Sequence, residues 1–202
     1  DPVDCERCRV CRLRDLNPSP SYTVAGQTHP KVVEREGEAY RDRLERLGAL
    51  LGIAESVNYR PNYHDPATLN ALVASADVVV LPYDSREQVT SGVLTEAVAA
   101  GIPVVATAFP HAVELLTDAT GLLVAHQDPA AMAEALRTLL TQPAQAASMA
   151  TECARLTSDL EWSTVADTLV RAGRLSTGHT AREDRLLRAV DAMIGAGDVP
   201  QA

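Results

Sequence analysis

Three short runs of apolar residues, DVVVLPY (77–83), PVVAT (103–107) and GLLVA (121–125), constrain this chain more than any other feature. They lack the polar–apolar alternation of a half-exposed strand, so each reads as a strand buried on both faces. Between them lie SGVLTEAVAAG (91–101) and PHAVELL (110–116), which read as helices. Parallel neighbours need a crossover connection, and a helix is the usual one. The pattern therefore predicts an α/β fold, a Rossmann-like doubly wound parallel sheet with helices on both faces.

The same alternation extends in both directions. YTVAG (22–26) and SVNYR (56–60) are short strands. Between them, KVVEREGEAYRDRLERLGALLG (31–52) places Tyr40, Leu44, Leu47 and Leu51 at helical spacing and reads as one amphipathic helix. Asp65-Pro66 and Asp128-Pro129 each pair an N-cap acid with proline at the first helical position. Leu69, Leu72 and Val73 form the inner face of the first of these helices; Met132, Leu136, Leu139 and Leu140 form that of the second. About five strands result. The organisation read from this pass is an irregular tail over 1–16, a ligand-binding domain over 17–172, and a helical extension over 173–202 whose apolar stripe lies in 181–196.

Charge and composition narrow the function. The chain has 202 residues and a net charge of −9, which argues against nucleic acid and against anionic membrane as main partners. No apolar run is long enough for a membrane span, and the opening DPVDCERCRV is no signal peptide, so the expectation is a cytoplasmic protein. Cys5, Cys8 and Cys11 have metal-like spacing, but a tetrahedral site needs a fourth ligand and the nearest obvious one is His29. We read the three as a reduced, Arg-flanked tail and expect no metal and no cofactor.

Ligands of doubly wound sheets bind beyond the C-terminal strand ends. The segment SREQVTSGVLTEAVAAG (85–101) follows such an end. Its helix begins near Ser91, so the amides of Ser91, Gly92, Val93 and Leu94 point out of the sheet, and Gly92 lets an anion approach the backbone. Either Thr90 or Ser91 can serve as N-cap. Glu96, one to two turns in, has two readings on spacing alone: an acceptor for vicinal hydroxyls, or an exposed acid near the positive helix end.

The run from Ala76 to Leu140 resembles the C-terminal half of retaining glycosyltransferases of the GT-B fold, the glycogen-synthase and mannosyltransferase-like group. The likeness rests on the Asp-led strand ending in Pro82, Glu96 after the polar loop, Gly101-Ile102-Pro103-Val104-Val105-Ala106, Glu114-Leu115, and Gly121-Leu122-Leu123-Val124 ahead of Asp128-Pro129. YTVAGQTHPKVV and EWSTVADTLVRA extend it over roughly 16–172. It implies that Glu96 binds the ribose of a nucleotide-sugar donor and that the amides from Ser91 to Leu94 hold its diphosphate. It places the base near Tyr59 and Arg60 or the Gly26 loop. His111, at a helix start beside the sugar position, joins the donor-binding candidates. His29 and His64 read as turn residues and Trp162 as packing.

Two departures qualify that resemblance. The family's first acid near the donor sugar is matched by Gln88, which hydrogen-bonds but carries no charge; Glu87 substitutes only if the loop shifts by one residue. These two are the candidate catalytic positions. The family's first strand in this half, with a Gly-rich turn and a phosphate-binding Lys, falls before Asn17, where DPVDCERCRVCRLRDL shows neither. The expectation is a truncated or frame-shifted chain: a donor-binding half, inactive alone, with an unidentified acceptor and a missing N-terminal domain or partner chain. Its sheet should lack a central strand, with apolar edges near Tyr22–Ala25 and Val78–Val80. A non-enzymatic binding module is the alternative. A nicotinamide-dependent oxidoreductase shares the sheet class but needs a Gly-X-Gly-X-X-Gly turn that this chain does not have.

Overall fold

The computed structural model describes residues 13–160, 164, 166–168, 170 and 171. The three N-terminal cysteines, Trp162 and the 181–196 helix expected from the sequence lie outside them. The strands are β1 (Tyr22–Ala25), β2 (Val57–Arg60), β3 (Val79–Leu81), β4 (Val104–Thr107) and β5 (Gly121–Val124). The helices are α1 (Pro30–Glu36), α2 (Ala39–Leu50), α3 (Pro66–Ala74), α4 (Gly92–Ala99), α5 (Pro110–Leu115), α6 (Pro129–Thr141) and α7 (Pro143–Leu160).

All strand pairs are parallel, as the sequence predicts. They do not form one sheet. β1 pairs with β2 alone, and β3–β4–β5 form a second sheet. β4 is central in the larger sheet, and Val104, Val105 and Ala106 are wholly buried. Burying each valine contributes about 1.5–3 kcal/mol, so this strand anchors the core.

The larger sheet is covered on both faces. On one, Leu81, Val104 and Ala106 pack with Val73 of α3, Leu94, Ala97 and Val98 of α4, Ala112 of α5 and Cys153 of α7. On the other, Val78, Val80, Val105 and Val124 meet Met132, Leu136 and Leu139 of α6, with Leu13 and Leu16. Cys153 sits at the centre of the first face. Its thiol donates to the Thr120 carbonyl at 3.3 Å, and burial pushes it up to about 11, so it is an inert packing group.

Several local expectations hold. Asp65 caps α3 by accepting from the Thr68 amide, and Asp128 caps α6 by accepting from the Ala131 amide. Gly101 follows α4 at φ 73°, a left-handed conformation that ends the helix. Others need correction. The single helix expected over 31–52 is two, because Gly37 at φ 60° breaks it. Tyr40 and Leu47 on its stripe remain 50 % and 40 % exposed, since the sheet beneath has only two strands to cover them. Leu140, expected inside, is exposed at the end of α6.

Candidate functional site

The loop from Pro82 to Ser91 joins β3 to α4 at the C-terminal end of the larger sheet, and a chain of contacts fixes it. Thr107 at the end of β4 donates its hydroxyl to the Tyr83 carbonyl at 2.6 Å. The Tyr83 ring packs on buried Phe109, centroids 5.0 Å apart, and its hydroxyl lies 3.4 Å from Ser91 Oγ. Across the mouth, Gln127 at φ 58° donates to Asp84 at 3.3 Å, tying the β5 loop to the β3 loop.

Ser91, not Thr90, is the N-cap of α4. Its Oγ accepts from the Leu94 amide at 3.3 Å. Its own amide donates to His111 Nδ1 at 2.8 Å, which fixes the imidazole proton on Nε2. The four amides read from the sequence thus divide. Those of Ser91 and Leu94 are engaged within the protein, and the Leu94 side chain is fully buried in the core. Those of Gly92 and Val93 have no acceptor among the described residues. Two donors and the positive end of α4 are what the structure offers an anion.

Glu96 completes this end of the molecule. Its Oε2 is buried with no hydrogen-bond partner among the described residues, and desolvation holds its carboxyl above the usual carboxylate range. An orphaned carboxylate oxygen has a cost that a bound hydroxyl donor would remove. The Glu96 side chain as a whole is partly buried. Gln88 folds back instead: its Nε2 donates to the Thr90 carbonyl, and its own carbonyl accepts from the His111 amide at 3.4 Å. Glu87 is exposed, with its amide on Ser85 Oγ at 3.3 Å. Gln88, Ser91, Gly92, Val93, Leu94 and Glu96 thus lie on one connected loop and helix, and His111 at the start of α5 is hydrogen-bonded to that loop.

Gly26, Tyr59 and Arg60 belong to the smaller sheet. The Gly26 amide donates to the Arg60 carbonyl at 3.0 Å, so the two strand ends are joined. Beside them is a cavity of about 500 Å³ lined by Val24, Gly26, Thr28, Arg41, Leu44 and Tyr59, among others. Arg41 was not singled out from the sequence. It donates to the Gly26 carbonyl at 3.0 Å, pairs with Glu38 at 3.5 Å and stands 6.0 Å from the Tyr59 ring centroid. Its charged position next to Tyr40 in an amphipathic run gave no local sign of this. Burial, then Glu45, raises the Tyr59 phenol above its ordinary value, so it stays a neutral donor. Arg60 is exposed. None of the residues lining this cavity comes from the α4 loop.

Among the described residues no group of three or more His, Cys, Asp or Glu could hold a metal ion, and no helix is long and apolar enough to cross a membrane.

Known proteins resemble this chain in sequence and in fold. D-inositol 3-phosphate glycosyltransferase of Rhodococcus opacus is 33 % identical over 142 residues, covering 70 % of this chain and 31 % of the relative. The chain spans about a third of the length of the curated relatives it matches, at 31 %, 28 % and 35 % for three of them. Among solved structures, Anabaena HepE in complex with UDP superposes with a TM-score of 0.69 at 20 % identity, over 81 % of this chain and 43 % of that one. The C-terminal domain of a glycosyl transferase group 1 protein from Francisella tularensis gives a TM-score of 0.63 at 18 % identity and covers 74 % of both chains. The GT-B C-terminal domain thus supplies the architecture, and the family model for group 1 glycosyl transferases matches residues 21–142, from the first strand through the cap and buried carboxylate of α4 to the end of α6. The chain belongs to the group 1 glycosyl transferases.

Proposed function

We propose that this chain is the donor-binding half of a retaining glycosyltransferase and binds a nucleotide-sugar at the start of α4. One observation carries the reading: Glu96 presents a buried carboxylate oxygen about one turn from the amides of Gly92 and Val93, and none of the three has a partner among the described residues. A diphosphate suits the amides and the helix end, and a vicinal diol suits the carboxylate. Glu96 then accepts from ribose hydroxyls, Gly92 and Val93 donate to phosphate oxygens, and Ser91 and Leu94 hold the helix start in shape. His111 positions Ser91 through Nδ1 and offers Nε2–H as a further donor. Tyr59 and Arg60, with Gly26, are the residues proposed for the nucleoside.

Gln88 and Glu87 are the residues proposed beside the donor sugar. Gln88 can hold a sugar hydroxyl but cannot supply negative charge, and Glu87 reaches the site only if the loop moves. Transfer to an acceptor needs groups outside these residues, so the chain alone is expected to bind donor without transferring sugar. The UDP in the HepE structure supports a nucleoside diphosphate as ligand class.

A thermal-shift panel of UDP-, GDP- and ADP-sugars tests the reading. One nucleotide series should raise the melting temperature of the parent chain and fail to do so for Glu96→Ala. No shift with any of the three would oppose a donor site.

A further inference from the structure

Gly37 splits the helix expected over 31–52 into α1 and α2, and both line the cavity of about 500 Å³ at the end of β1. Val24 comes from β1, Val32 from α1, Tyr40 and Leu44 from α2, and the Tyr59 ring from β2. Gln27, His29 and Glu36 are exposed positions along it. A cavity of this size and lining suits a small organic ligand.

Two charged side chains line it, and they are placed differently. Glu36 is held by Arg43, its Oε2 2.9 Å from Nη1. Arg41 is only 14 % exposed. Its Nη2 donates to the Gly26 carbonyl at 3.0 Å and to Thr28 Oγ1 at 3.4 Å. Its Nε stands 3.5 Å from Glu38 Oε2, a carboxylate that is itself 56 % exposed and also accepts from the Thr28 hydroxyl at 2.6 Å. Nε and Nη1 are buried without a hydrogen-bond partner among the described residues. A guanidinium drawn this far out of water calls for an acceptor at its N–H groups. A water molecule there would need about two to four polar partners, which valine and leucine walls do not offer.

We propose that this cavity is a second ligand site, distinct from the nucleotide-sugar site at α4, and that it takes a small aromatic carboxylate, its acid group on Arg41 Nη1 and its ring against Val24, Val32 and Leu44. A carboxylate is the acceptor that gains most from a buried guanidinium, because a charge-assisted hydrogen bond is about twice as strong as a neutral one. The ligand's body must be apolar and flat, to lie along the Tyr40 and Tyr59 rings and the aliphatic wall. Inorganic phosphate fails on that count, since its other oxygens would lose water against the same wall. His29 supplies a further donor at the rim: its Nδ1 accepts from the Lys31 amide at 3.2 Å, which leaves the proton on Nε2. The Gly26 loop joins this site to the residues proposed for the nucleoside, because its carbonyl is held by Arg41 and its amide donates to the Arg60 carbonyl.

The test is an NMR titration of the full 202-residue chain, isotope-labelled, with naphthalene carboxylate, its uncharged amide and inorganic phosphate. The carboxylate should bind saturably and shift the Arg41 Nε–H and the Gly26 and Thr28 amides, with Gly92 and Val93 little changed. It should bind about tenfold or more tightly than the amide. Phosphate should give no saturable shift at these groups. Arg41→Met should bring the affinity for the carboxylate down to that for the amide. Val32→Trp keeps Arg41 and its bond to Gly26 but fills the cavity, and should abolish binding of both aromatic probes. The comparison of the three probes on the parent chain decides the matter even if a variant misfolds. Equal binding of carboxylate and amide, saturable phosphate binding at Arg41, carboxylate shifts at Gly92 and Val93 in place of Gly26 and Thr28, or no saturable binding would overturn the proposal. Calorimetry with UDP on the same chain tests the donor site by itself, so either site can fail without the other.

Discussion

Replacing Glu96 by Gln keeps the shape of the side chain and removes its charge. The structure predicts opposite effects on binding and on stability. A hydrogen bond to a charged group contributes about 1.5–3 kcal/mol and a neutral one about 0.5–1.5 kcal/mol. Glutamine should therefore weaken UDP by roughly 1–1.5 kcal/mol, about tenfold, and alanine by about 10- to 150-fold. Stability should move the other way. Desolvation raises the carboxyl above 4.5 in the folded chain, so the folded state holds its proton more tightly than the unfolded state does. The parent is then most stable relative to Glu96→Gln below 4.5 and loses that stability as pH rises through the raised value. Glu96→Gln should melt higher than the parent at pH 7, and the gain should disappear towards pH 4. Calorimetry with UDP and paired melts at the two pH values give both readings. Unchanged UDP affinity, or a variant that melts lower than the parent at pH 7 while keeping its affinity, would refute the role given to this carboxylate.

Other expected outcomes follow from the same geometry. Gly92→Val should abolish UDP affinity with little change in helix content by circular dichroism, because a Cβ at Gly92 meets no protein atom within 4 Å and only an approaching ligand would be blocked. Gly121→Ala should destabilise the fold by roughly 1–3 kcal/mol in urea melts, because its Cβ would lie 2.6 Å from the Val104 carbonyl oxygen on the central strand. On the proposed reading of the chain as a donor-binding half, it should show no sugar transfer from radiolabelled donor to mixed acceptors, since positioning an acceptor can supply about 7–11 kcal/mol of the barrier; robust transfer by the chain alone would contradict that reading.

Much of the fold was legible because its signals are local. Asp65-Pro66 and Asp128-Pro129 announce helix starts through a side chain and its own following turn. The apolar run at 103–107 marks β4, which is buried along its whole length. The break at Gly37 was less legible, since apolar spacing continues across it and only the backbone angle reveals it. Non-local relations were the hardest to read. The Ser91 amide meets an imidazole twenty positions away, and Arg41 reaches under Tyr59 from another element. Both change which groups face the site. Glu96 had two readings on spacing, and the burial of Oε2 with no partner among the described residues is what favours the acceptor reading. The residues at which sequence reasoning stopped short are those whose role depends on tertiary contact rather than on neighbours in the chain.

The account stands or falls on where a nucleoside diphosphate binds. The most direct measurement is an amide NMR titration of the full 202-residue chain with UDP, GDP and ADP. The account predicts saturable binding of one nucleotide, with the largest shifts at the Gly92 and Val93 amides, smaller ones at Tyr59 and Arg60, and loss of all of them in Gly92→Val. Saturable shifts confined to the cavity around Arg41, or no shifts with any of the three, would contradict it.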